Sequence, residues 1–478
     1  MQVTPPSHSF VDTPKKHTHL KIGIFQFWNV SPHLETSLEI ALKESLQNNT
    51  NVFYFFLGDQ ISYNECYQKP RSGKLPRQSR AKYLTDHLLS WVNHMPCGFI
   101  PVEVNEFNLQ SISHLKRVSY KHLIIGEYLY CALIDYTKSP SPNPQKFKPI
   151  LDSMFSTFVT VYENVTKLIH HYQLDQIITF NGRHIPYAAV ACAANDSFVS
   201  IRYHERGGSN DRYLLMDSKV HSVEKYQALL KQAWHQKKCT DEQAYERASS
   251  IITKSVDGRD PTYNRYRVKQ KRNALPSVDA SITNIGFYAS SIDENSMIPN
   301  RELYPFGFWE DQRSAVLDLI TRSIKSNTRA KIYVRLHPNL EHKKEELSLW
   351  DFLSILPANI VEVIAPNHSA DSYELCNHMD INIVYHSSIG PEIMYLGNPI
   401  YAFNTCRYDY IHGCTIINGI SDLDNIIDNH DRLELNIDIP RMKLEALKHI
   451  YCMHYFGIDY EYYEPKDNHS GRFLGVKL

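Results

Sequence analysis

The chain has 478 residues, which is too long for one ordinary hydrophobic core and predicts two or three domains of about 150 residues. The 51 Lys and Arg residues against 52 Asp and Glu residues give a net charge of −1, which argues against a polyanion binder, so we predict no nucleic-acid partner. The nine cysteines form no C-x-x-C pair, which argues against zinc-ribbon and thioredoxin-type sites and is typical of a reduced, cytoplasmic protein.

The N-terminal half alternates between short apolar runs and helical patterns. We predict strands over 20–28, 51–57, 176–180 and 198–203, and helices over 33–47, 164–171 and 187–195. Apolar strands that alternate with helices predict a parallel α/β sheet with helices on its faces.

A polar, basic and proline-containing stretch over 257–281 interrupts this pattern, and a second α/β series follows it. Its predicted strands cover 284–289, 330–336, 360–364, 381–385 and 399–403, with helices over 309–325 and 389–396. We therefore predict an α/β protein with two Rossmann-like domains that face a central cleft. The predicted divisions are an N-terminal acceptor domain (1–270), a linker (271–280), a C-terminal donor domain (281–440) and a helical segment that packs back on the N-terminal domain (441–478).

The first 19 residues are polar, and no apolar run reaches the ~18 residues of a membrane span. We predict a cytoplasmic protein without a signal peptide. Peripheral association with the inner face of the cytoplasmic membrane stays open at this point.

Two polar clusters follow predicted strands of the second series. Ser387 and Ser388 come directly before a predicted helix, where their hydroxyls and the helix N-terminus suit a phosphate, and Glu392 suits a ribose hydroxyl. His337 follows Arg335 at the end of another strand, where ligands of parallel sheets bind. The alternatives are an ordinary helix cap for the first cluster and a strand-terminating turn for the second.

Three further clusters are candidates for the cleft. Asn181 and Arg183 follow one strand of the first series, and Glu205 and Gly207 follow the next. Glu205 is the best carboxylate for acid–base or nucleophilic work, whereas Gly207 allows a close approach of the backbone to a ligand. An ion pair of Glu205 with Arg206 or Arg183 is the alternative. A third loop carries Ser290 and Ser291, and a plain polar loop is the alternative there.

Motifs of other enzyme classes are absent from the sequence. It contains no G-x-x-x-x-G-K-[ST], no G-x-G-x-x-G and no H-E-x-x-H, which argues against kinase, dinucleotide-binding and zincin functions. Asp422 and Asp424 have the D-x-D spacing of metal-dependent transferases, but we interpret them as the start of a helix capped by Ser421. We therefore predict no catalytic metal.

Four of these segments together resemble the capsule polysaccharide biosynthesis glycosyltransferases with the GT-B fold, which include bacterial Kdo transferases. They are N-G-R at 181–183, E-x-G at 205–207, R-x-H-P at 335–338, and S-S-x-G-x-E with L-G-x-P at 387–399. The resemblance spans roughly residues 170–405. It implies an acceptor site in the N-terminal domain and a donor site in the C-terminal domain. His337, Ser387 and Ser388 would hold the phosphate and cytidine side of the donor, and Glu205 would be the acid of the catalytic cleft, with Arg183 as a second catalytic candidate.

The resemblance implies transfer of a sugar, with a CMP-linked ulosonic acid such as Kdo as the leading donor, to a hydroxyl of a growing bacterial surface polysaccharide. The partners would be the nucleotide-sugar co-substrate, a glycan or glycolipid acceptor and capsule assembly proteins, with no further cofactor. A glycerol- or ribitol-phosphate transferase, or a sugar-nucleotide epimerase on the same fold, is one alternative. A non-catalytic GT-B scaffold of a capsule assembly complex is another.

Overall fold

A computed structural model describes most of the chain. It covers residues 19–47, 49–57, 61–63, 93–94, 99–102, 111–139, 141–219, 222–256, 269–291, 308–309, 311–326, 328–467, 470–474 and 476–477. Residues 257–268 and 292–294, which belong to the predicted basic stretch and to the loop after Ser291, lie outside this range. Among the described residues, no helix combines the length and the apolar character needed to cross a lipid bilayer.

The first sheet has seven strands, most of them parallel. Counted along the chain, its strands are β1 (Leu20–Gln26), β2 (Thr50–Phe56), β3 (Asn93–His94), β6 (Gln176–Phe180), β7 (Ser200–Arg206), β8 (Arg212–Met216) and β15 (Ile458–Asp459). Their spatial order is β15-β8-β7-β6-β1-β2-β3. The five strands from β3 to β7 run parallel, whereas β8 pairs antiparallel with β7 and with β15, which forms the edge of the sheet. A small hairpin, β4 (Ser119–Tyr120) and β5 (Leu123–Ile124), lies outside this sheet.

Helices cover the first sheet. They are α1 (His33–Ser45), α2 (Ile112–Lys116), α3 (Gly126–Thr137), α4 (Lys148–Tyr172), α5 (Ile185–Asp196), α6 (Val223–His235) and α7 (Asp241–Val256). The predicted helix over 164–171 is only the last third of α4, because residues before 164 carry a buried apolar face in the same register. In α5, buried alanines such as Ala188, Ala189 and Ala193 allow a close approach to α4 and the sheet.

The second sheet is entirely parallel. It contains β9 (Thr283–Tyr288), β10 (Ala330–Arg335), β11 (Val361–Ile364), β12 (Ile381–Val384), β13 (Ile400–Phe403) and β14 (Cys414–Ile417). The spatial order β11-β10-β9-β12-β13-β14 is the 3-2-1-4-5-6 order of a Rossmann fold. Alternate residues of one strand enter two separate cores, since Ile332 and Val334 face one side and Tyr333 faces the other. The α/β prediction with two Rossmann-like units is therefore confirmed.

The helices of the second unit are shorter. They are α8 (Gln312–Lys325), α9 (Lys344–Ser348), α10 (Ser372–Asn377), α11 (Gly390–Leu396), α12 (Ile420–Glu434) and α13 (Ile439–Tyr455), with two 3-10 helices at Pro338–His342 and Asp351–Ile355. The predicted cap of α12 at Ser421 is wrong, because the helix already begins at Ile420 with Gly419 as its cap. Asp422 instead accepts the backbone N–H of Asn418 at 2.9 Å.

The segment from 269 to 278 lies against the second unit. The backbone N–H of Lys271 donates to the carbonyl of Ser369, and that of Asp371 donates to Ala274, both at 2.8 Å. The Tyr333 hydroxyl donates to the carbonyl of Ser277 at 2.9 Å. Residues of this segment are thereby fixed beside the carboxyl end of the second sheet.

The last forty residues connect both units. Helix α13 packs against α11 of the second unit and against α6 and α7 of the first. The prediction of a helical segment over 441–478 is wrong beyond Tyr455, because β15 then joins the first sheet and a three-stranded sheet follows. Its strands are β16 (Tyr463–Asp467), β17 (Ser470–Phe473) and β18 (Val476–Lys477).

One buried carboxylate fastens this C-terminal segment to α1. Glu39 is fully buried and accepts the backbone N–H groups of Glu461, Tyr462 and Tyr463 at 2.8, 2.9 and 3.1 Å. Lys43, one helical turn later, lies 3.2 Å from the same carboxylate. Three amides and one ammonium therefore compensate the desolvation of this charge.

Candidate functional site

A cavity of about 320 Å³ opens where the carboxyl ends of β9, β10 and β12 meet. This is the point at which the strand order of the second sheet reverses, and ligands of open α/β sheets bind at such points. Five residues predicted for donor binding all line it: Arg335, His337, Ser387, Ser388 and Glu392. These side chains are up to 57 positions apart in the sequence, and they meet at one cavity as their positions after parallel strands predict.

Arg335 ends β10 and is 3% exposed. Its Nη1 donates to the carbonyl of Ala365 at 2.7 Å, and its Nε donates to the Ser372 hydroxyl at 3.1 Å. Its Nη2 has no hydrogen-bond partner among the described residues. Burial lowers the pKa of the guanidinium to about 10, so the group is still charged at neutral pH. A buried cation with one unused donor at a cavity wall suits an anionic ligand.

His337 follows β10 and precedes the 3-10 helix that starts at Pro338. Its Nδ1 accepts the backbone N–H of Asn339 at 3.2 Å. In the neutral imidazole this acceptor role places the proton on Nε2, which is then a donor. His337 thus lines the same cavity as Arg335 with a ring that can donate as well as accept a hydrogen bond.

Ser387 and Ser388 lie on the turn between β12 and α11, but they do not cap the helix. The helix begins at Gly390, and its cap, Ile389, makes no side-chain hydrogen bond, which argues against the alternative that the two serines are an ordinary helix cap. Ser387 is buried and its carbonyl accepts the hydroxyl of Tyr408, whereas Ser388 is exposed. Both residues thus line the cavity, and Ser387 contacts the start of the helix only through its carbonyl, which accepts the Gly390 N–H at 3.3 Å.

Glu392 lies in the first turn of α11 and also lines the cavity. Its Oε2 accepts the Tyr373 hydroxyl at 2.8 Å. A carboxylate held in this way remains able to accept a hydrogen bond from a ligand hydroxyl through its other lone pairs.

Sequence reasoning missed part of the cavity wall, which also contains Gln270, Tyr288, Ser372 and Tyr373. Ser372 and Tyr373 open α10, whose cap Asp371 accepts the Tyr373 N–H at 3.0 Å. An Asp before a short helix is a recognisable start signal, so these two could have been found. Gln270 comes from the docked segment, where its Oε1 accepts the Ser372 N–H at 3.1 Å, and no motif marks it.

Ser290 and Ser291 do not line this cavity. The backbone of Ser290 exchanges two hydrogen bonds with the Gln312 side chain, at 3.1 and 2.9 Å. The fully buried Ser291 hydroxyl accepts from Lys343 and lies 3.4 Å from Glu346. Both serines therefore connect β9 to its neighbouring helices, and the prediction that they belong to the donor side of the cleft is wrong for this cavity.

A second polar cluster lies at the carboxyl ends of β6 and β7 in the first sheet, one strand away from the reversal point between β1 and β6. Glu205 does not follow β7, as predicted, but is part of it, because the strand runs to Arg206. Its Oε2 accepts from Asn181 Nδ2 at 2.9 Å and its Oε1 accepts the N–H of Arg206 at 3.0 Å. The backbone N–H of Arg183 in turn donates to Asn181 Oδ1 at 3.2 Å. Amide groups rather than arginine side chains thus orient the Glu205 carboxylate.

Aromatic and imidazole rings surround this cluster. Trp28 lies 4.4 Å from His184 and His33 lies 4.2 Å from Phe180, measured between ring centroids. His204 is fully buried beside Phe180, and burial lowers its pKa to about 3, so its ring is neutral. Trp28, Phe180 and His184 are 9%, 2% and 8% exposed, so these rings pack on one another as part of the core at this edge of the sheet.

Gly207 has a structural role in the turn between β7 and β8. Its N–H donates to the carbonyl of Arg212 at 3.0 Å, and a Cβ at this position would lie 2.6 Å from the Cβ of Arg212. The N–H of the next residue, Gly208, donates to the carbonyl of Phe456 at 2.9 Å, where α13 ends. The close approach that these glycines allow is to the protein itself, which corrects the predicted ligand-facing role of Gly207.

Within the described part of the chain, no group of three or more His, Cys, Asp or Glu side chains is arranged to hold a metal ion. The donors that line the cavity are instead guanidinium, imidazole and hydroxyl groups. Such groups bind anions directly.

No protein-family model and no curated protein matches this chain. Among solved structures, it is similar to KpsC, a beta Kdo 2,7 transferase of Thermosulfurimonas dismutans, with 14% identity over 66% of this chain and 85% of the other at a TM-score of 0.33. It is also similar to a UDP-GlcNAc 2-epimerase of Neisseria meningitidis, with 12% identity over 91% and 99% of the two chains at a TM-score of 0.27. A glycosyltransferase of Rickettsia africae shares 12% identity over 92% and 94% at a TM-score of 0.28.

The resemblance to capsule-type GT-B transferases that the motifs predict recurs among these matches. The TM-scores are all below 0.5, so these matches do not bear on the activity. Any functional conclusion rests on the two clusters at the carboxyl ends of the sheet strands.

Proposed function

We propose that the chain is a glycosyltransferase that moves a sugar from a nucleotide-activated donor to a hydroxyl of a growing bacterial surface polysaccharide. The observation that carries this proposal is Arg335, a buried cation at the cavity wall whose Nη2 has no hydrogen-bond partner among the described residues. A buried guanidinium with an unpaired nitrogen is costly, and an anionic ligand such as a donor phosphate would compensate that cost.

The remaining groups of the cavity suit the rest of a nucleotide. The Nε2–H of His337 would donate to a phosphate oxygen and stabilise the charge that develops on the leaving phosphate. Glu392 would accept a hydrogen bond from a ribose hydroxyl, while Ser387 and Ser388 would donate to the phosphate or the base. Because these donors need no metal bridge, the proposed transfer requires neither a metal nor a further cofactor.

The cluster around Glu205 suits the acceptor. Its carboxylate, oriented by Asn181, would take the proton of the attacking hydroxyl or act as the acid–base group of a two-step route. Arg183 would lie next to it as a cation for the acceptor or the transferred sugar.

We further propose a CMP-linked ulosonic acid such as Kdo as the donor. This part depends on the motif resemblance, whose His-Pro and Ser-Ser pairs are shared with other enzymes that use cytidine nucleotides. The acceptor would be a glycan or glycolipid, which favours work at the inner face of the cytoplasmic membrane or next to capsule assembly proteins.

A thermal-shift measurement against CMP, CDP, UDP and GDP tests the donor first. A ligand that binds only the folded state raises the melting temperature by mass action. At a ligand concentration 100 times Kd, the free energy of unfolding rises by about 2.7 kcal/mol. We expect selective stabilisation by CMP that is lost in His337→Ala and retained in His235→Ala, an exposed histidine on α6. Stabilisation by UDP or GDP alone would mean that the donor carries that nucleotide instead of CMP. No response to any nucleotide, even with acceptor glycan added, would favour the scaffold alternative.

Product mass then separates the reaction classes. Transfer of a ulosonic acid adds one sugar acid unit to the acceptor, whereas a glycerol- or ribitol-phosphate transferase adds a phosphodiester-linked unit. An epimerase leaves the acceptor unchanged. A product that carries phosphate would overturn the glycosyl-transfer proposal while keeping the nucleotide site.

A further inference from the structure

A short loop after β13, residues 404–411, lies between the two units. Asp409 organises it from within, because its Oδ2 accepts the backbone N–H of Cys406 at 3.2 Å. Backbone hydrogen bonds from Asp409 to Cys406 at 3.3 Å and from Ile411 to Tyr408 at 3.1 Å complete two turns. The loop is therefore a compact element with a defined shape.

Helix α6 of the first unit binds this loop. Gln227 Nε2 donates to Asp409 Oδ1 at 2.7 Å and to the Cys406 carbonyl at 3.2 Å. One position earlier in the helix, the Tyr226 ring lies beneath the Arg407 guanidinium, with 4.1 Å between the centroid and Cζ. A hydrogen bond to a carboxylate and a cation–π contact thus connect the first unit to the loop.

The other side of the loop reaches the cavity. Tyr408 is 4% exposed, and its hydroxyl donates to the carbonyl of Ser387, which lines the cavity. The same tyrosine packs on Gly390, where a Cβ would lie only 2.6 Å from the ring. The position of Tyr408 therefore fixes the backbone of the Ser387–Ser388 turn at the point where α11 begins.

We propose that Gln227 and Tyr408 are positioning residues that couple the docking of the first unit to the shape of the anion-binding cavity. Gln227 holds the loop through Asp409, and the loop holds the Ser387 carbonyl through Tyr408. Neither residue lines the cavity. The inference rests on the proposed function only in taking that cavity as the nucleotide site, and its first test needs no nucleotide.

Hydrogen–deuterium exchange of the intact chain supplies the first test, with Gln227→Ala, Tyr408→Phe and Gln232→Ala. Gln232 is an exposed glutamine of the same helix, so its substitution is the matched control. We expect faster exchange over 386–390, which contains the Gly390 N–H bonded to the Ser387 carbonyl at 3.3 Å, in the first two variants. The control should exchange like the wild type. Unchanged exchange over 386–390 in Gln227→Ala would overturn the coupling.

Nucleotide affinity is the second readout, with CMP as the probe. Gln227→Ala removes a hydrogen bond to the Asp409 carboxylate, a loss equivalent to about tenfold in an equilibrium constant. We therefore expect the Kd for CMP to rise by up to about tenfold in Gln227→Ala and to stay unchanged in Gln232→Ala. The double variant with Tyr408→Phe should be no weaker than Tyr408→Phe alone, because both changes interrupt one path.

The proposed function and the proposed coupling can be contradicted independently of each other. A wild type that binds none of the nucleotides contradicts the proposed function, and the exchange experiment still decides the coupling. A wild type that binds CMP with the same Kd as Gln227→Ala overturns the claim that the coupling reaches the ligand. Tyr408 is deeply buried, so loss of folding in its variant would remove only that variant from both tests. Gln227 is half-buried, and its substitution keeps both tests available.

Discussion

Asn181 and Glu205, on neighbouring strands of the first sheet, are joined by a hydrogen bond of 2.9 Å between Nδ2 and Oε2. Asn181 is 2% exposed and directly follows β6, whereas Glu205 is half-buried in β7. The amide cannot itself take a proton, so it holds the carboxylate in one orientation and leaves the acid–base chemistry to Glu205.

Glu205→Gln should therefore abolish transfer without disturbing nucleotide binding. The glutamine keeps the side-chain volume and an oxygen that can still accept from Asn181, but it cannot take up a proton. General acid–base groups contribute roughly 10²- to 10⁴-fold, so we expect at least about a 100-fold loss of kcat. The CMP-induced thermal shift should equal that of the wild type. Full activity in this variant would refute the assignment of Glu205.

Arg335→Lys should weaken nucleotide binding while keeping the charge. Lysine is a single point donor, and it cannot serve Ala365, Ser372 and a ligand anion together as the planar guanidinium can. The loss of a charged hydrogen bond predicts at least about a tenfold rise in Kd by isothermal titration. Arg322→Lys, at a partly exposed ion pair with Asp424, is the control and should bind like the wild type. Equal affinities in the two variants would contradict the anion site.

Glu39→Ala should release the C-terminal segment. Three backbone N–H groups and the Lys43 ammonium would lose their acceptor, and breaking a buried charged interaction of this kind costs about 3–5 kcal/mol of unfolding free energy. Urea denaturation measures the loss, and limited proteolysis near 461–463 reports the release.

The matched control is Glu461→Ala. This exposed carboxylate lies 3.1 Å from the same Lys43, and exposed ion pairs contribute less than about 1 kcal/mol. If both substitutions cost the same, the three backbone hydrogen bonds to Glu39 contribute no net stability.

His204→Phe should reduce the sensitivity of the protein to acid. Neither ring nitrogen of His204 has a hydrogen-bond partner among the described residues, and burial lowers its pKa from 6.5 to about 3. Between these pKa values the unfolded chain binds a proton that the folded chain does not, so stability falls as pH falls, by about 1.4 kcal/mol per pH unit for one proton. Above pH 6.5 this contribution is absent.

Thermal unfolding at pH 7.5, 5.5 and 4.5 checks this expectation. The variant should be at least as stable as the wild type at pH 7.5, because no hydrogen bond is lost, and it should lose less stability towards pH 4.5. His235→Phe, at an exposed position of α6, should follow the wild type. A larger loss of stability towards pH 4.5 in His204→Phe than in the wild type would contradict the predicted direction of the pH dependence.

The sequence predicted the parts of the site that follow from strand periodicity. Apolar runs gave the parallel strands, and polar residues directly after them, such as Arg335, His337 and Ser387, converge because parallel strands share one carboxyl edge. The sequence did not predict Gln270 as a cavity residue. The segment from 269 to 278 reaches the cavity through tertiary hydrogen bonds, and such bonds leave no periodic signal in the sequence.

The differences between sequence and structure have local causes. Ser387 and Ser388 suit a helix cap by residue type, yet Tyr408 bonds the Ser387 carbonyl and the helix begins at Gly390, one position after the predicted start. The sequence predicts Glu205 after its strand, whereas pairing with β8 extends β7 to Arg206. Tertiary contacts overrode local preference in both cases.

The Glu39 carboxylate also constrains the order of events during synthesis. Its partner Tyr463 lies 424 positions further along the chain, so α1 leaves the ribosome long before the amides that neutralise its buried charge. At roughly 5–20 residues per second, the delay is roughly 20 to 85 s. During that interval the first sheet lacks its β15 edge, and the Glu39 carboxylate lacks its three backbone N–H donors. Nascent chains shorter than about 460 residues should therefore depend on chaperones more than the finished protein does.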